Sequence, residues 1–401
     1  MWQKNVRYLD YNATSGLSVS VREKLAELLA RPEILANPSS RHRLGQNARK
    51  ILYDASLRVA KSLSTHSDNP ISIDDLLFTS SGTEANQSVL KSIAEKTSLI
   101  LIGAGEHSSS KDWAEDFAKS HPNFQTGEIP LLPNGQADLQ ALEKLLKSAK
   151  ANGHERVGVT LTLANNETGV LLDTIALKNL FKKIDVDTGV SVVLHLDASQ
   201  AWGKIACNVE ETSASFVTFS AHKIGAPSGT GLIWRAKNAF FSPLLIGSQS
   251  RGLRGGSENL IGIAATGFAA ETLDTIGFEK HTRPLIAQLE SGLKKMSHPI
   301  RIWGEESPRV PNTSRFSFLK FKTYENWVEL LDLKGFAVSH GSACKAQIIE
   351  PSHVLLKMGA TSEDALNSLR ISVGPENTSE DIHEFLIALQ SVLTQKEAQK
   401  S

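Results

Sequence analysis

Short apolar runs that end on glycine or a polar residue, each followed by a helix-period pattern, recur along much of the chain. Leu76-Leu-Phe78 runs into Thr79-Ser-Ser-Gly-Thr-Glu84, and Leu99-Ile-Leu-Ile102 into Gly103-Ala-Gly-Glu-His107. Val157 to Leu163 precedes Ala164-Asn-Asn-Glu167, Val192-Val-Leu-His-Leu196 precedes Asp197, and Phe216-Val-Thr-Phe219 precedes Ser220-Ala-His-Lys223. Continuous apolar runs alternating with helices predict an α/β fold, a mostly parallel sheet with helices on both faces. Upstream, Ser20-Val-Arg-Glu23 reads as a capping box opening a helix whose apolar face carries Val21, Leu25, Leu28 and Leu29. Asn37-Pro-Ser-Ser40 breaks that pattern, and a longer helix is expected from Arg41 to Leu63. Beyond Gly256 the rhythm changes. Helical stretches cover Asn259 to Lys295, and strands are expected near Ile300 and Arg315. A helix near Trp327, an apolar run ending at Val338, a strand over Leu369 to Val373 and a last helix capped at Thr378-Ser-Glu-Asp381 complete a smaller α+β unit.

Length sharpens this picture: 401 residues favour two domains over one. Lys+Arg and Asp+Glu are 43 each, which argues against a protein built to bind nucleic acid or an anionic membrane. With 40% hydrophobic and 21% charged residues the chain has the composition of an ordered globular protein. No apolar run approaches the ~18 residues of a membrane span. The start, Met1-Trp-Gln-Lys-Asn-Val-Arg7, has no apolar signal core, so a cytoplasmic location is expected. Two cysteines, Cys207 and Cys344, make neither a disulfide framework nor a four-thiolate metal site.

Every unusual polar cluster falls at the end of an expected strand, the edge at which open α/β sheets bind ligands. Ser80-Ser-Gly-Thr-Glu84 sits where a strand meets a helix, and the first N–H groups of that helix can hold a phosphate; a plain strand–helix turn accounts for the motif equally well. Lys223 stands at the rim of the sheet rather than on an outer helix, where a lysine can form a Schiff base. Asp197 ends the preceding strand and is either a helix cap or the acidic partner of a pyridine nitrogen, as pyridoxal phosphate requires. Gln200 is within reach of the same ring, and His107 can stack on it and move protons.

The chain resembles the cysteine desulfurases, within the class-V, fold-type I pyridoxal-phosphate enzymes. The resemblance runs through Tyr8-Leu-Asp-Tyr-Asn-Ala-Thr14, Asn37-Pro-Ser-Ser-Arg-His42, Phe78 to Glu84, Glu106-His107, Asn165-Asn-Glu-Thr-Gly169, Asp197-Ala-Ser-Gln200 and Ser220 to Lys223. It continues through Arg251-Gly-Leu-Arg-Gly-Gly-Ser-Glu-Asn259, Val338-Ser-His-Gly-Ser-Ala-Cys344 and Leu369-Arg-Ile-Ser-Val-Gly374, where Gly-Ser-Ala-Cys marks the long-loop type. It implies a large cofactor-binding domain over residues 15–258 with a seven-stranded, mostly parallel sheet. It also implies a small domain over 1–14 and 259–401 that carries the cysteine loop.

By the same resemblance Lys223 would carry the cofactor, His107 would stack on its ring, Asp197 would pair with the ring nitrogen and Gln200 with the phenolic oxygen. Gly82, Thr83, Ser220 and His222 would hold the phosphate, and Ser257 would reach the cofactor of a neighbouring subunit in a homodimer. Asn166 and Arg370 would bind the carboxylate of L-cysteine. Cys344 would be the nucleophile that takes the sulfur as a persulfide, releasing L-alanine, while Cys207 is expected to be a packed residue. The sulfur would pass to an acceptor protein of an iron–sulfur or tRNA-thiolation pathway, with no nucleic acid or membrane bound directly. Lys345, Ala221, Ile246-Gly-Ser-Gln-Ser250, Pro375-Glu376 and the short end after the last helix depart from the family pattern. They leave the cofactor positions intact and the sulfur acceptor open. The alternatives are another class-V enzyme, a selenocysteine lyase or an aminotransferase, and a non-catalytic scaffold of the same fold.

Overall fold

The computed structural model describes residues 6–31, 36–64, 71–321, 324–340 and 350–398. The chain opens with β1 (Arg7–Tyr8), α1 (Val19–Leu29) and α2 (Arg43–Ser62). Helix α1 is capped by Ser18, whose Oγ accepts from the Val21 N–H at 3.2 Å, so Ser20 lies inside the helix and the cap stands two residues before the expected one. The alternating region follows as β2 (Leu76–Thr79), α3 (Gly82–Ala94), β3 (Leu99–Gly103), α4 (Ser108–Ser120), β4 (Gln125–Ile129), α5 (Leu139–Ala151), β5 (Arg156–Thr162), α6 (Thr174–Thr188) and β6 (Ser191–Asp197). Strands β7 (Phe216–Ser220) and β8 (Gly231–Arg235) close it.

These strands form one seven-stranded sheet in the order β2-β8-β7-β6-β5-β3-β4. It is parallel from β7 across to β4, while β8 runs antiparallel to both β2 and β7. Successive side chains of a strand point to opposite faces, which is visible in the two cores. Leu101, Val159, Leu194 and Val217 pack on one face with Leu142 and Leu146 of α5 and Leu180 and Ile184 of α6. Their neighbours Ile100, Ile102, Val193 and Phe216 pack on the other face with Ala85, Val89 and Ile93 of α3 and Ala114 of α4. Both faces are covered, so the strands read as unbroken apolar runs.

The rest of the chain comprises α7 (Leu260–Glu271), α8 (Thr275–Lys294), β9 (Ile300–Ile302), β10 (Thr313–Phe318), α9 (Trp327–Asp332), β11 (Phe336–Ala337), α10 (His353–Lys357), α11 (Ser362–Leu366), β12 (Ser368–Ser372) and α12 (Ser379–Ala398). Leu260 and Ala264 of α7 pack with Leu28 of α1 and Ala48 of α2. The α7–α8 break falls at Asp274, whose carboxylate accepts from the Gly277 N–H at 2.9 Å. Thr378 and Asp381 cap α12 reciprocally: the Asp381 N–H donates to the threonine hydroxyl at 3.2 Å and the Thr378 N–H to the aspartate at 2.8 Å. Strands β12, β10 and β9 form an antiparallel sheet whose core joins Phe316, Phe318, Trp327, Leu369 and Ile371 to Leu289, Phe385 and Leu389. Leu9 is part of that core, β1 pairs with β11, and Asp10 bridges to Ser372. The N-terminal segment is thereby carried from the second sheet toward the carboxyl ends of the first. No helix among the described residues is long and apolar enough to cross a membrane.

Candidate active site

The parallel register puts Thr162 of β5, Asp197 of β6 and Thr218 of β7 at one level, so the loops that follow these strands open on the same edge. Asp197 is buried, and both its oxygens are held. Oδ1 accepts from the Ser199 N–H at 2.9 Å, and Oδ2 accepts from Asn86 Nδ2 of α3 at 2.9 Å. Asn86 Nδ2 also donates to Ser109 Oγ at 2.9 Å, and Asn86 Oδ1 accepts from Thr218 Oγ1 at 2.5 Å. Because the Thr218 proton is committed to Asn86, its oxygen takes the His195 Nε2–H at 2.9 Å, and His195 Nδ1 accepts from Thr160 Oγ1 at 2.7 Å. Burial lowers His195 to about 4, so this ring is a neutral relay under the site.

His107 caps α4, its Nδ1 accepting from the Ser109 N–H at 3.1 Å and lying 2.9 Å from Ser109 Oγ. The backbone donor makes Nδ1 the acceptor and leaves the ring proton on Nε2. Burial pushes His107 below the usual histidine range, against the pull of Asp197. The adjoining Glu106 carboxyl is fully buried and raised to about 8, by burial first and then by Asp197.

Lys223 sits in the single helical turn Ala221–Ile224 after β7, ended by Gly225 at φ 88°, a left-handed conformation in which a side chain is strained. Its Nζ donates to the Asn12 and Ala13 carbonyls at 2.6 and 2.7 Å. Burial, and next the charge of Arg370, lower it to about 8, so the neutral amine is a minority near physiological pH but far more abundant than for a free lysine. Gln200 Nε2 donates to the same Asn12 carbonyl at 2.9 Å. Arg370 of β12 donates to the Asn166 carbonyl at 3.0 Å and to Asp10 Oδ1 at 2.6 Å, and Asn12 Nδ2 reaches the Asn166 carbonyl at 3.2 Å. His222 Nδ1 lies 3.1 Å from Thr14 Oγ1. Burial, and next Lys223, lower His222 to about 4.

At the first turn of α3, Ser81 caps the helix through the Glu84 N–H at 3.1 Å, with Gly82 and Thr83 next in line. A Cβ placed on Gly82 would lie 3.1 Å from Ser220 Cβ and 3.7 Å from Ser199 Oγ, so Gly82 faces these hydroxyls across a narrow gap. Gly231 lets β8 pass close by, since a Cβ there would be 2.2 Å from the Ser81 carbonyl oxygen.

The structure thus brings Gly82, His107, Asn166, Asp197, Gln200, Ser220, His222, Lys223 and Arg370 to one edge, with Thr83 beside Gly82. Ser257 is exposed in the coil before α7 and makes none of these contacts. Cys344 lies outside the described residues. Cys207 is buried, and its thiol is pushed up to about 12 by that burial.

Sequence reasoning missed several members of the site. Asn86 is a polar residue on the buried face of α3, a signal that a helical plot of that segment carries. Glu84 accepts from both Arg254 Nε and Nη2, at 2.9 and 3.1 Å, and ties the glycine-rich stretch before Ser257 to the start of α3. Lys204, four residues after Gln200, is buried with its Nζ donating to Gln200 Oε1 and, at 2.6 Å, to Asn12 Oδ1. Asn12 is their common hub.

These residues fit pyridoxal phosphate. A partly neutral buried amine suits condensation with an aldehyde. A doubly held carboxylate one strand away suits a pyridine nitrogen, and helix N–H groups opposite Ser220 suit a phosphate.

The model of the aminotransferase class-V family matches residues 7–385. A cysteine desulfurase of Dictyoglomus turgidum is 31% identical over 394 residues, covering 96% of this chain and 94% of that protein. One from Cereibacter sphaeroides is 32% identical over 395 residues, covering 98% and 96%. The crystal structure of a NifS-like protein from Rickettsia africae superposes with a TM-score of 0.83 at 29% identity, over 97% of this chain and 99% of that one.

Proposed function

The chain belongs to the aminotransferase class-V family, and from that premise we propose that it is a pyridoxal-phosphate-dependent cysteine desulfurase converting L-cysteine to L-alanine. The observation that carries this reading is Lys223 itself. It is a lysine at the carboxyl edge of the sheet, lowered to about 8, one strand from Asp197, with its amine resting on two backbone carbonyls.

Bound pyridoxal phosphate supplies an electron sink that weakens the substrate's Cα–H and Cβ–S bonds. Asp197 offers a carboxylate to the ring nitrogen, oriented by Asn86 and Ser199. The N-terminus of α3 at Gly82 and Thr83, with Ser220 and His222, holds the phosphate. The Lys223 amine would accept the substrate's α-proton and, as the ammonium, would give a proton back to the carbon skeleton. His107, with its Nδ1 held by Ser109, would offer an Nε2 proton to the ring side of the site. Asn166 and Arg370 hold the substrate carboxylate. The Cys344 thiolate attacks the substrate sulfur, the Cβ–S bond breaks, and the sulfur remains as a persulfide while the carbon skeleton takes up a proton and leaves as alanine.

Ser257, exposed in one chain, serves the cofactor of the second copy in a homodimer. The persulfide supplies a sulfur acceptor for iron–sulfur cluster assembly or tRNA thiolation. The test is incubation with L-cysteine, measuring alanine and sulfide for the wild type and for Cys344→Ala. The variant should keep the cofactor and the first spectral change but lose turnover by ~10³. Turnover at the wild-type rate would transfer the chain to another class-V reaction.

A further inference from the structure

Gln200 and Asn12 are carboxamides, and which end each turns toward a ligand is set by its neighbours. Gln200 Nε2 faces the Asn12 carbonyl, which only accepts, and Gln200 Oε1 faces Lys204 Nζ. Asn12 Nδ2 faces the Asn166 carbonyl and Thr313 Oγ1 at 3.2 and 2.9 Å, and Asn12 Oδ1 faces Lys204 Nζ at 2.6 Å. One buried amine therefore meets both amide oxygens. With Oε1 turned to Lys204 and one Nε2 hydrogen given to Asn12, Gln200 has a second N–H to offer.

We propose that Lys204 is a positioning residue that, together with the acceptor-only Asn12 carbonyl, fixes the polarity of Gln200, so that an N–H and not the carbonyl is presented to the phenolic oxygen of the cofactor. This rests on the reading that the site binds pyridoxal phosphate. The surroundings agree with the geometry. Burial, and next the charges of Lys223 and Arg370, drive Lys204 far below the usual lysine range. Charged or neutral, the amine carries at least two N–H groups, which match the two amide oxygens it meets. A salt bridge would hold one carboxylate, whereas this contact locks two amides whose ends differ only in donor and acceptor character. Asn12 in turn aligns the carbonyl on which Lys223 and Gln200 both rest.

An N–H at the phenolic oxygen favours its anionic form and so lowers the pH at which the bound cofactor's visible band titrates. In the cofactor-loaded protein, Lys204→Met should raise that midpoint by about one pH unit. Lys204→Gln keeps a donor and should hold the midpoint within about 0.3 unit of wild type. Lys204→Met added to Gln200→Leu should shift it no further, because Lys204 acts through Gln200. Should Lys204→Met fail to fold, Lys204→Leu and Lys204→Ala carry the same test, while Gln200→Glu checks that Gln200 meets the phenolic oxygen with an N–H. An acid has no N–H to offer, its carboxylate pairs with Lys204, and the midpoint should again rise by about one unit. A midpoint unmoved in Lys204→Met, or in whichever of Lys204→Leu and Lys204→Ala folds in its place, overturns the assignment, as does a full shift in the Gln200→Leu background. Absence of any visible band in the wild type with added pyridoxal phosphate overturns the reading beneath it instead.

Discussion

Replacing Asn86 by leucine keeps the number and branching of the side-chain heavy atoms and removes three hydrogen bonds at once. The carboxamide donates to Asp197 Oδ2 and Ser109 Oγ, each at 2.9 Å, and accepts from Thr218 Oγ1 at 2.5 Å. All three partners are buried. A hydrogen bond to a charged acceptor contributes ~1.5–3 kcal/mol and a neutral one ~1 kcal/mol, for a gross loss of roughly 4 kcal/mol. Each partner keeps a second contact, Asp197 with Ser199, Ser109 with His107 and Thr218 with His195. The added apolar surface of leucine offsets part of the remainder, leaving a net cost of about 2 kcal/mol. In a thermal melt of the protein without cofactor this lowers the midpoint by roughly 2 °C. Affinity for pyridoxal phosphate, read by absorbance titration, should fall about tenfold, because Asp197 loses the donor that fixes one of its oxygens. Asn86→Asp sets a carboxylate against Asp197 and should cost more than leucine at pH 8. A leucine variant that melts with the wild type and binds the cofactor equally well would refute the claim that Asn86 orients Asp197.

Other outcomes follow from the same geometry. Capture of pyridoxal phosphate by the free protein needs the neutral amine of Lys223, whose folded value is lowered to about 8; the capture rate should rise with pH through a midpoint near 8, and a midpoint near the ordinary lysine value of ~10.4 contradicts this. Arg315 and Glu167 form a fully buried pair at 3.7 Å, with Ser352 donating to the same glutamate and Arg315 to the His340 carbonyl and Ser368. Arg315→Met strands that glutamate and should destabilise by ~3–5 kcal/mol, measured by chemical denaturation. Glu106 is raised to about 8 in the fold, so the folded state binds its proton more tightly than the unfolded state. Its contribution is whole below the unfolded value of ~4.3 and is lost as pH rises toward 8. Glu106→Gln should melt near the wild type at pH 5 and above it at pH 9; equal pH slopes for the two proteins would reject a buried neutral carboxyl.

Much of the sheet and its binding edge could be read from neighbours a few residues apart. The apolar runs at Leu99, Val157, Val192 and Phe216 are strands because both sheet faces are covered, and the clusters at His107, Asp197 and Lys223 mark the ends at which loops open. The cap of α12 was equally local, and the cap of α1 was misplaced by two residues because Ser18 and Ser20 both precede a helical pattern. Tertiary structure decided what such patterns do not encode. The antiparallel insertion of β8 between β2 and β7 depends on pairing between strands far apart in the chain. Nothing in Leu9 to Asn12 announces that this segment crosses from one sheet to the other and brings its carbonyls to Lys223. Nor does Gly-Lys-Ile after Gln200 reveal a buried amine: lysine is ordinarily a surface residue, and its burial against Asn12, a residue 192 positions away, is a tertiary event. Hydrophobic period is a property of adjacent residues, whereas the partner of a buried polar group is settled by which distant segment folds against it.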